Sequence, residues 1–364
     1  EAVQAAVEAM TKGWGNPSSR YELGTKAAAR MKEWRGNVAQ ALGCLPEELF
    51  FTSCGTEGDN WAIQSALEVN RRRGKHIITT AIEHAAVLEP CRELERRGYE
   101  VTYLEPDRQG NITAAQVEGA MRPDTALVSM MLVNNELGAI LPVGEVAQVI
   151  RRTGCPALLH CDAVQGFLKI PFSPKKLGVD LLTVSGHKIH APKGVGALYV
   201  RKGLKLPPLI WGGGQEEGLR SGTEATAQIA AFAAAARLGR QTLEEDMAHM
   251  ARLKEETVRR LAEEVPKAKL LAQGGAPHIL AISLVGYKSE VVVRFLSDRG
   301  VYISSGSACH KGKPSHVFAA LKLPKGERDG VLRISFSYDT KQEDVDALIE
   351  GLKGASEKLF PSLS

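Results

Sequence analysis

Aromatic side chains make up only 5% of this 364-residue chain, so a core of the expected size must be aliphatic. Cysteine is sparse too. The six, at positions 44, 54, 91, 155, 161 and 309, show none of the paired short spacings of a zinc module. They read as reduced thiols and nothing near the start resembles a signal peptide, which together point to a cytoplasmic protein. No apolar run approaches the roughly 20 residues needed to cross a bilayer; the longest lies around Ile229 to Ala236, so no membrane span is expected. An excess of one charge is also missing. The net charge of +4, evenly spread, is too small to make nucleic acid or an anionic membrane the expected partner. Small molecules are the expected ligands. The first residues already read as mid-helix, with Val3, Ala6, Val7 and Met10 on one stripe, so further residues are expected upstream.

What the chain has in quantity is glycine, 36 residues of it, which supplies many tight backbone sites. The length is more than twice the domain prior of roughly 150 residues, so two lobes are expected. From Glu22 to about residue 240, short apolar runs alternate with amphipathic helices, the signature of a parallel sheet with helical crossovers. The strand candidates are Leu49–Thr52, His76–Thr80, Val101–Leu104, Ala126–Leu132, Ala157–Cys161, Leu181–Val184 and Gly196–Val200. The expected fold class is therefore α/β, with a seven-stranded, mainly parallel sheet in a large domain and a smaller α/β domain beside it. Past residue 240 the texture changes: a long helix is expected to open at the capping box Thr242-Leu-Glu-Glu245. Strand 279–284, helix 290–299, strand 330–337 and a last helix capped by Thr340 with Glu343 follow. The expected division is 14–240 for the large domain, with 1–13 and 241–364 forming the small one.

The most informative segment is Ser185-Gly-His-Lys188, at the end of an apolar strand, where α/β sheets place their ligands. One strand upstream, His160-Cys-Asp-Ala-Val-Gln165 ends its apolar run in an aspartate. A lysine to form a Schiff base, and an anion to keep a pyridine nitrogen protonated, are what pyridoxal phosphate needs, and Lys188 and Asp162 fit those roles. A phosphate also needs a cradle. Thr52-Ser-Cys-Gly-Thr-Glu57 runs from a strand through small residues into a helix, where backbone amides and helix dipole converge on Gly55 and Thr56.

Read in register, Thr-Ser-Cys-Gly-Thr-Glu-Gly-Asp-Asn (52–60), Glu-His (83–84), Val-Asn-Asn-Glu-Leu-Gly (133–138), Cys-Asp-Ala-Val-Gln (161–165), Ser-Gly-His-Lys (185–188), Gly-Gly-Gly-Gln-Glu (212–216), Arg-Ser-Gly-Thr (220–223) and Ser-Ser-Gly-Ser-Ala-Cys (304–309) resemble the cysteine desulfurases. These are fold-type-I pyridoxal-phosphate enzymes of the class-V aminotransferase family, of the nitrogen-fixation and iron–sulfur-assembly type. The resemblance implies that Lys188 bonds the cofactor, Asp162 pairs with its ring nitrogen, Gln165 meets the ring hydroxyl, and His84 stacks on the ring and moves protons. It implies that Gly55, Thr56, Ser185 and His187 hold the phosphate, that Thr223 reaches in from the neighbouring subunit of a homodimer, and that Asn135 holds the substrate carboxylate or the ring oxygen. Lys193, five residues on, is a rival Schiff-base lysine that the family position disfavours.

Cys309 decides which reaction the cofactor serves. It lies in a polar, glycine-bearing segment, and Lys311 and Lys313 favour its thiolate, the nucleophilic form. Cys309, His310 and His316 lack a fourth ligand at familiar spacing, so no metal site is expected. Arg333 lies on the face of its strand opposite Leu332 and Ile334; the resemblance gives its guanidinium fork to the substrate carboxylate. The implied reaction takes sulfur from L-cysteine, leaves alanine and a persulfide on Cys309, and passes the sulfur to an acceptor such as an iron–sulfur scaffold or a sulfur-carrier protein. The alternatives are a selenocysteine lyase or another fold-type-I enzyme such as an aminotransferase. Two departures from the family stand out. Only five residues separate Cys309 from Ser315, slightly fewer than is common, which shortens the tether of the persulfide, and the family's opening strand and turn are missing.

Overall fold

The computed structural model describes residues 1–272, 274–305 and 315–361. Residues Glu1–Leu104, Thr113–Leu132 and Pro142–Leu243 form one compact unit, and Glu105–Ile112, Val133–Leu141 and the chain from Glu244 onward form a second. Residues 1–13, which sequence reading gives to the small domain, fall in the first unit.

The first unit is built on strands β1 (Leu49–Thr52), β2 (His76–Thr80), β3 (Glu100–Leu104), β4 (Thr125–Met131), β5 (Leu158–Asp162), β6 (Leu181–Ser185) and β7 (Gly196–Val200). They make one sheet in the order β1-β7-β6-β5-β4-β2-β3. Neighbours from β3 across to β6 run parallel, and β7 is antiparallel to both β6 and β1. Strands such as Leu181-Leu-Thr-Val-Ser185 are buried at every position, as a sheet covered on both faces requires. The helices of this unit are α1 (Ala2–Lys12), α2 (Glu22–Leu42), α3 (Gly55–Val69), α4 (Ala85–Arg96), α5 (Ala114–Ala120), α6 (Val143–Thr153), the single turn α7 (Pro174–Leu177) and the start of α8 (Thr226–Glu264). Phe50, Trp61 and Ile63 pack on Ile77, Leu127, Leu181 and Leu198 to form its aliphatic core.

The second unit carries the rest of α8, strands β8 (Ala268–Leu270), β9 (Ile279–Leu284) and β10 (Val331–Ser335), and helices α9 (Ser289–Ser297), α10 (His316–Ala320), α11 (Lys325–Arg328) and α12 (Gln342–Lys358). Its sheet is antiparallel, in the order β10-β9-β8. Met250, Leu280, Ile282, Leu332, Ile334 and Ile349 lie in its core.

Two expected helix starts are corrected. No helix opens at Thr242, because α8 runs unbroken from Thr226, and the Thr242 hydroxyl donates to the Leu238 carbonyl one turn back (3.4 Å). A threonine and a glutamate three residues apart also suit a helix interior when the hydroxyl bonds inward, which is why the pattern misleads. At α12 the cap sits one residue later than expected. The Lys341 amide donates to Asp344 (2.8 Å), while Thr340 accepts from the Ser337 amide (2.9 Å) and closes the preceding turn.

Candidate active site

In the first unit, the carboxyl ends of β1, β6 and β5 bring three sequence motifs, 52–60, 185–188 and 161–165, to one edge. Thr52 pairs with Gly196, which pairs in turn with Ser185, so three chain segments meet in one row. Two residues past β1 the helix α3 starts, with Gly55 and Thr56 at its first positions and their amides free of intrahelical partners. A methyl group on Gly55 would come within 2.8 Å of Val164 and one on Gly58 within 2.6 Å of Thr183. Glycine at both places lets this helix start lie directly on the ends of β5 and β6. Glu57, in the first turn, receives the Ser53 hydroxyl (2.5 Å) and pairs with Arg220, so the loop entering α3 is tied to the segment before α8. Burial raises the Glu57 carboxyl, but the bonds from Arg220 and Ser53 outweigh it and hold it below the usual carboxylate range.

Lys188 follows β6 at once, in a single 3-10 turn (Gly186–Ile189) closed by His190 in the left-handed region at φ 65°. Ser185 and the Nδ1 of His187 are hydrogen bonded at 2.9 Å. Burial, then the charges of Lys188 and Lys193, hold His187 below its ordinary pKa, which favours a neutral ring. Both lysines thus sit near this turn, and both are exposed. His84 is the N-cap of α4; its Nδ1 accepts from the Ala86 amide (3.1 Å), so the neutral ring carries its proton on Nε2. Gln165 is half-buried in the turn after β5, and Thr223 is exposed just ahead of α8.

Asp162 ends β5. Its main chain is fixed by the Leu132 amide (2.8 Å) and its carboxylate accepts from the Val164 amide (2.9 Å). It is 6% exposed, and among the described residues no lysine or arginine pairs with it. Burial, and next the charge of Asp59, raise its pKa. A buried carboxyl without a cation is costly unless something positive meets it. Below it lie three residues to which sequence reading gave no role. Asp59 on α3 is 1% exposed, and Glu83 and His160 are fully buried. His160 contacts Ser129 (2.8 Å) and Thr183 (3.2 Å) and lies 3.5 Å from Asp59. Asp59 and Glu83 fall inside the motifs at 52–60 and 83–84, and their one sequence signal is an acid flanked by residues that fold into the core.

Arg333 and Asn135 belong to the second unit and come together there. Arg333 Nη1 donates to the Asn135 carbonyl (3.0 Å), and the Arg333 and Ser304 main chains bridge each other (2.7 and 3.2 Å). Arg333 Nε and Asn135 Oδ1 are both buried without a hydrogen-bond partner. Unmet buried donors and acceptors call for a partner, and a bound water, ion or ligand supplies one. Glu136 is the counter-charge the guanidinium feels. Cys309 lies outside the described residues. The described chain stops at Ser305, one residue past the Ser304 bridge to Arg333, and resumes at Ser315, whose hydroxyl caps α10.

A separate cavity of about 1060 Å³ opens at the other end of β5, lined by Cys44, Cys155, Leu158 and Asp180, and holds none of these residues. Burial pushes the Cys44 thiol up to about 12, leaving it an unreactive thiol at neutral pH. No group of three or more metal-ligating side chains occurs among the described residues.

The comparison with known proteins turns on the same motifs. The family model described as aminotransferase class-V matches residues 1–348. The chain belongs to the class-V aminotransferase family. Among relatives of this family, a cysteine desulfurase IscS from Methanosarcina thermophila is 40% identical over 99% of this chain and 89% of its own length. A cysteine desulfurase IscS from Clostridium botulinum strain Hall is 36% identical over 97% and 90%. Among solved structures, a NifS-like protein superposes with a TM-score of 0.92 at 36% identity, covering 98% of this chain and 96% of that one. A structure titled SspA in complex with cysteine matches with a TM-score of 0.80 at 34% identity, covering 92% and 94%.

Class-V aminotransferases of this kind use pyridoxal 5'-phosphate, and the first unit fits it. Buried Asp162, which pairs with no lysine or arginine among the described residues, suits a protonated ring nitrogen, the start of α3 with Ser185 and His187 suits a phosphate, and Lys188 stands on the turn that follows β6.

Proposed function

We propose that this chain is a cysteine desulfurase that transfers the sulfur of L-cysteine to Cys309 and from there to an acceptor protein. The observation that carries the reading is Asp162: a buried carboxylate at the end of a strand, paired with no lysine or arginine among the described residues, beside the helix start of α3 and one strand from Lys188. The cofactor, when bound, supplies an electron sink for the bond changes at the substrate's α-carbon. The chain's own groups do the rest. Asp162 keeps the ring nitrogen protonated, the amides of Gly55 and Thr56 with Ser185 and His187 hold the phosphate, and Gln165 meets the ring hydroxyl. The Lys188 amine would bond the cofactor at rest and take the substrate's α-proton in turnover. His84 accepts from the Ala86 amide at Nδ1, so its neutral ring would move protons through Nε2. Arg333 Nε and Asn135 Oδ1, unmet in the second unit, complement the carboxylate and amino groups of an amino acid. The Cys309 thiolate attacks the substrate sulfur; the carbon–sulfur bond breaks, alanine leaves after protonation, and Cys309 keeps the sulfur as a persulfide.

Three finer points belong to the same proposal. The active form is a homodimer in which exposed Thr223 of one subunit completes the phosphate site of the other. The acceptor is an iron–sulfur scaffold or a sulfur-carrier protein, and the reaction runs in the cytoplasm. No helix among the described residues is long and apolar enough to cross a membrane.

The test is to incubate the cofactor-loaded protein with L-cysteine, quantify alanine, and map the added sulfur by mass spectrometry. Alanine in step with one extra sulfur on the Cys309 peptide is expected, with both lost in Cys309→Ser. Full alanine production by Cys309→Ser overturns the assignment. Pyridoxamine phosphate after a single half-turnover makes it an aminotransferase.

A further inference from the structure

Two acids lie in the same dry space under the cofactor site. Asp59 comes from the first turns of α3, and Asp162 from the end of β5. His160 and Asp162 are two apart on β5 and so face the same side, toward Asp59; Cys161 faces the other way. The remaining titratable groups around them are Glu83 and His84, which precede α4. Ser129 of β4 and Thr183 of β6 contribute only hydroxyls.

We propose that Asp59 is the proton-bearing member of a buried carboxyl pair and that it positions the pair's single negative charge on Asp162. Like charges in so dry a site cannot both ionise, so the question is which acid keeps its proton. The hydrogen bonding decides it. Asp162 accepts from the Val164 amide at 2.9 Å, a group that only donates and therefore favours a carboxylate. Asp59 has only the Thr183 hydroxyl, which favours a carboxylate when it donates but can also turn to accept a proton, and its Oδ1 has no hydrogen-bond partner. Ion pairing with His160 does not rescue an Asp59 carboxylate. Their closest atoms are 3.5 Å apart, beyond a normal N–H···O bond, and the ring is already satisfied as a neutral tautomer by Ser129 and Thr183. Burial raises both carboxyls alike, so that one of the two stays protonated, and lowers His160 to about 4, which keeps the ring neutral. The inference rests on the proposed cofactor chemistry for its purpose: a lone charge on Asp162 faces the ring nitrogen, with no second anion behind it.

The direction of the pH effect follows. A carboxyl raised by folding favours the native state while protonated, so its contribution is complete below its unfolded pKa of 3.8 and is lost as pH climbs to about 7. Asp59→Asn, neutral at every pH, escapes that loss. Its melting temperature, measured on the cofactor-free protein, is expected to match wild type near pH 4.5 and to exceed it increasingly up to pH 7.5. If Asp59 is instead an anion paired with protonated His160, the variant is less stable than wild type at pH 5–6, and the proposal fails. A second readout is direct. In the cofactor-loaded protein labelled with carboxyl-13C aspartate, infrared spectra at pH 6 are expected to show one isotope-shifted protonated carboxyl that vanishes in Asp59→Asn. Should that variant not fold, the band in wild type still decides: its absence at pH 6 overturns the proposal. Failure of the cofactor reading looks different, since no pyridoxal phosphate then binds at all while the cofactor-free stability difference remains.

Discussion

Arg333 is the residue whose surroundings say most about its partner. A guanidinium on an edge strand would normally find a carboxylate at the surface. Here it is half-buried, spends one nitrogen on a backbone carbonyl, and leaves Nε unmet. Hydrogen bonds to charged groups are worth about 1.5–3 kcal/mol, so Arg333→Lys, which keeps the charge but loses the planar fork, is expected to lower kcat/KM for L-cysteine by about ten- to a hundredfold. Steady-state kinetics check it, with the change appearing mainly in KM. At this scale the sequence singles out polar residues at or just past strand ends, as Asp162, Ser185 and Lys188 are. It was silent on Asp59, Glu83 and His160, because the feature that makes them unusual is burial beside one another, and only the packing of α3 on β4, β5 and β6 produces that.

Among the elements, β1 and α2 are locked by a single buried pair. Glu216 accepts from both terminal nitrogens of Arg35 (2.7 and 2.8 Å) and from the Phe51 amide (2.8 Å), while Arg35 also donates to the Leu49 carbonyl (2.6 Å). The guanidinium lies over the Phe51 ring at 4.7 Å. Glu216 itself adopts φ 48°, a left-handed conformation an L-residue takes only when held there. Removing one partner of a buried pair costs about 3–5 kcal/mol, and because Arg35 is one-fifth exposed the lower end applies. Glu216→Ala is expected to lose about 3 kcal/mol in urea unfolding, and Glu216→Gln distinctly less. Sequence patterning located all seven strands of the large sheet, since each is an apolar run bounded by polar turns. It misplaced the starts of α8 and α12 because capping residues are chosen by local hydrogen bonding: Thr242 bonds inward along a continuing helix, and Asp344 competes successfully for the cap of α12.

For the whole molecule, a ligand that binds only the folded state stabilises it by mass action. Pyridoxal phosphate at about a hundred times its dissociation constant adds about 2.7 kcal/mol. Calorimetry of cofactor-free and reconstituted protein is therefore expected to show a higher melting temperature with the cofactor. Lys188→Ala should keep only the part due to reversible binding, so that its melting temperature follows free cofactor concentration.

The path of the chain between the two units has its own consequence. It passes from one to the other at Leu104, Ile112, Leu132, Leu141 and Leu243, the last within the unbroken α8. Asn135 therefore reaches Arg333 on an excursion that starts directly after β4 and returns to the first unit nine residues later. No single cut in the chain leaves the second unit whole, because its pieces at 105–112 and 133–141 lie among those of the first. Its fold is therefore complete only after synthesis has passed through the whole of the first unit.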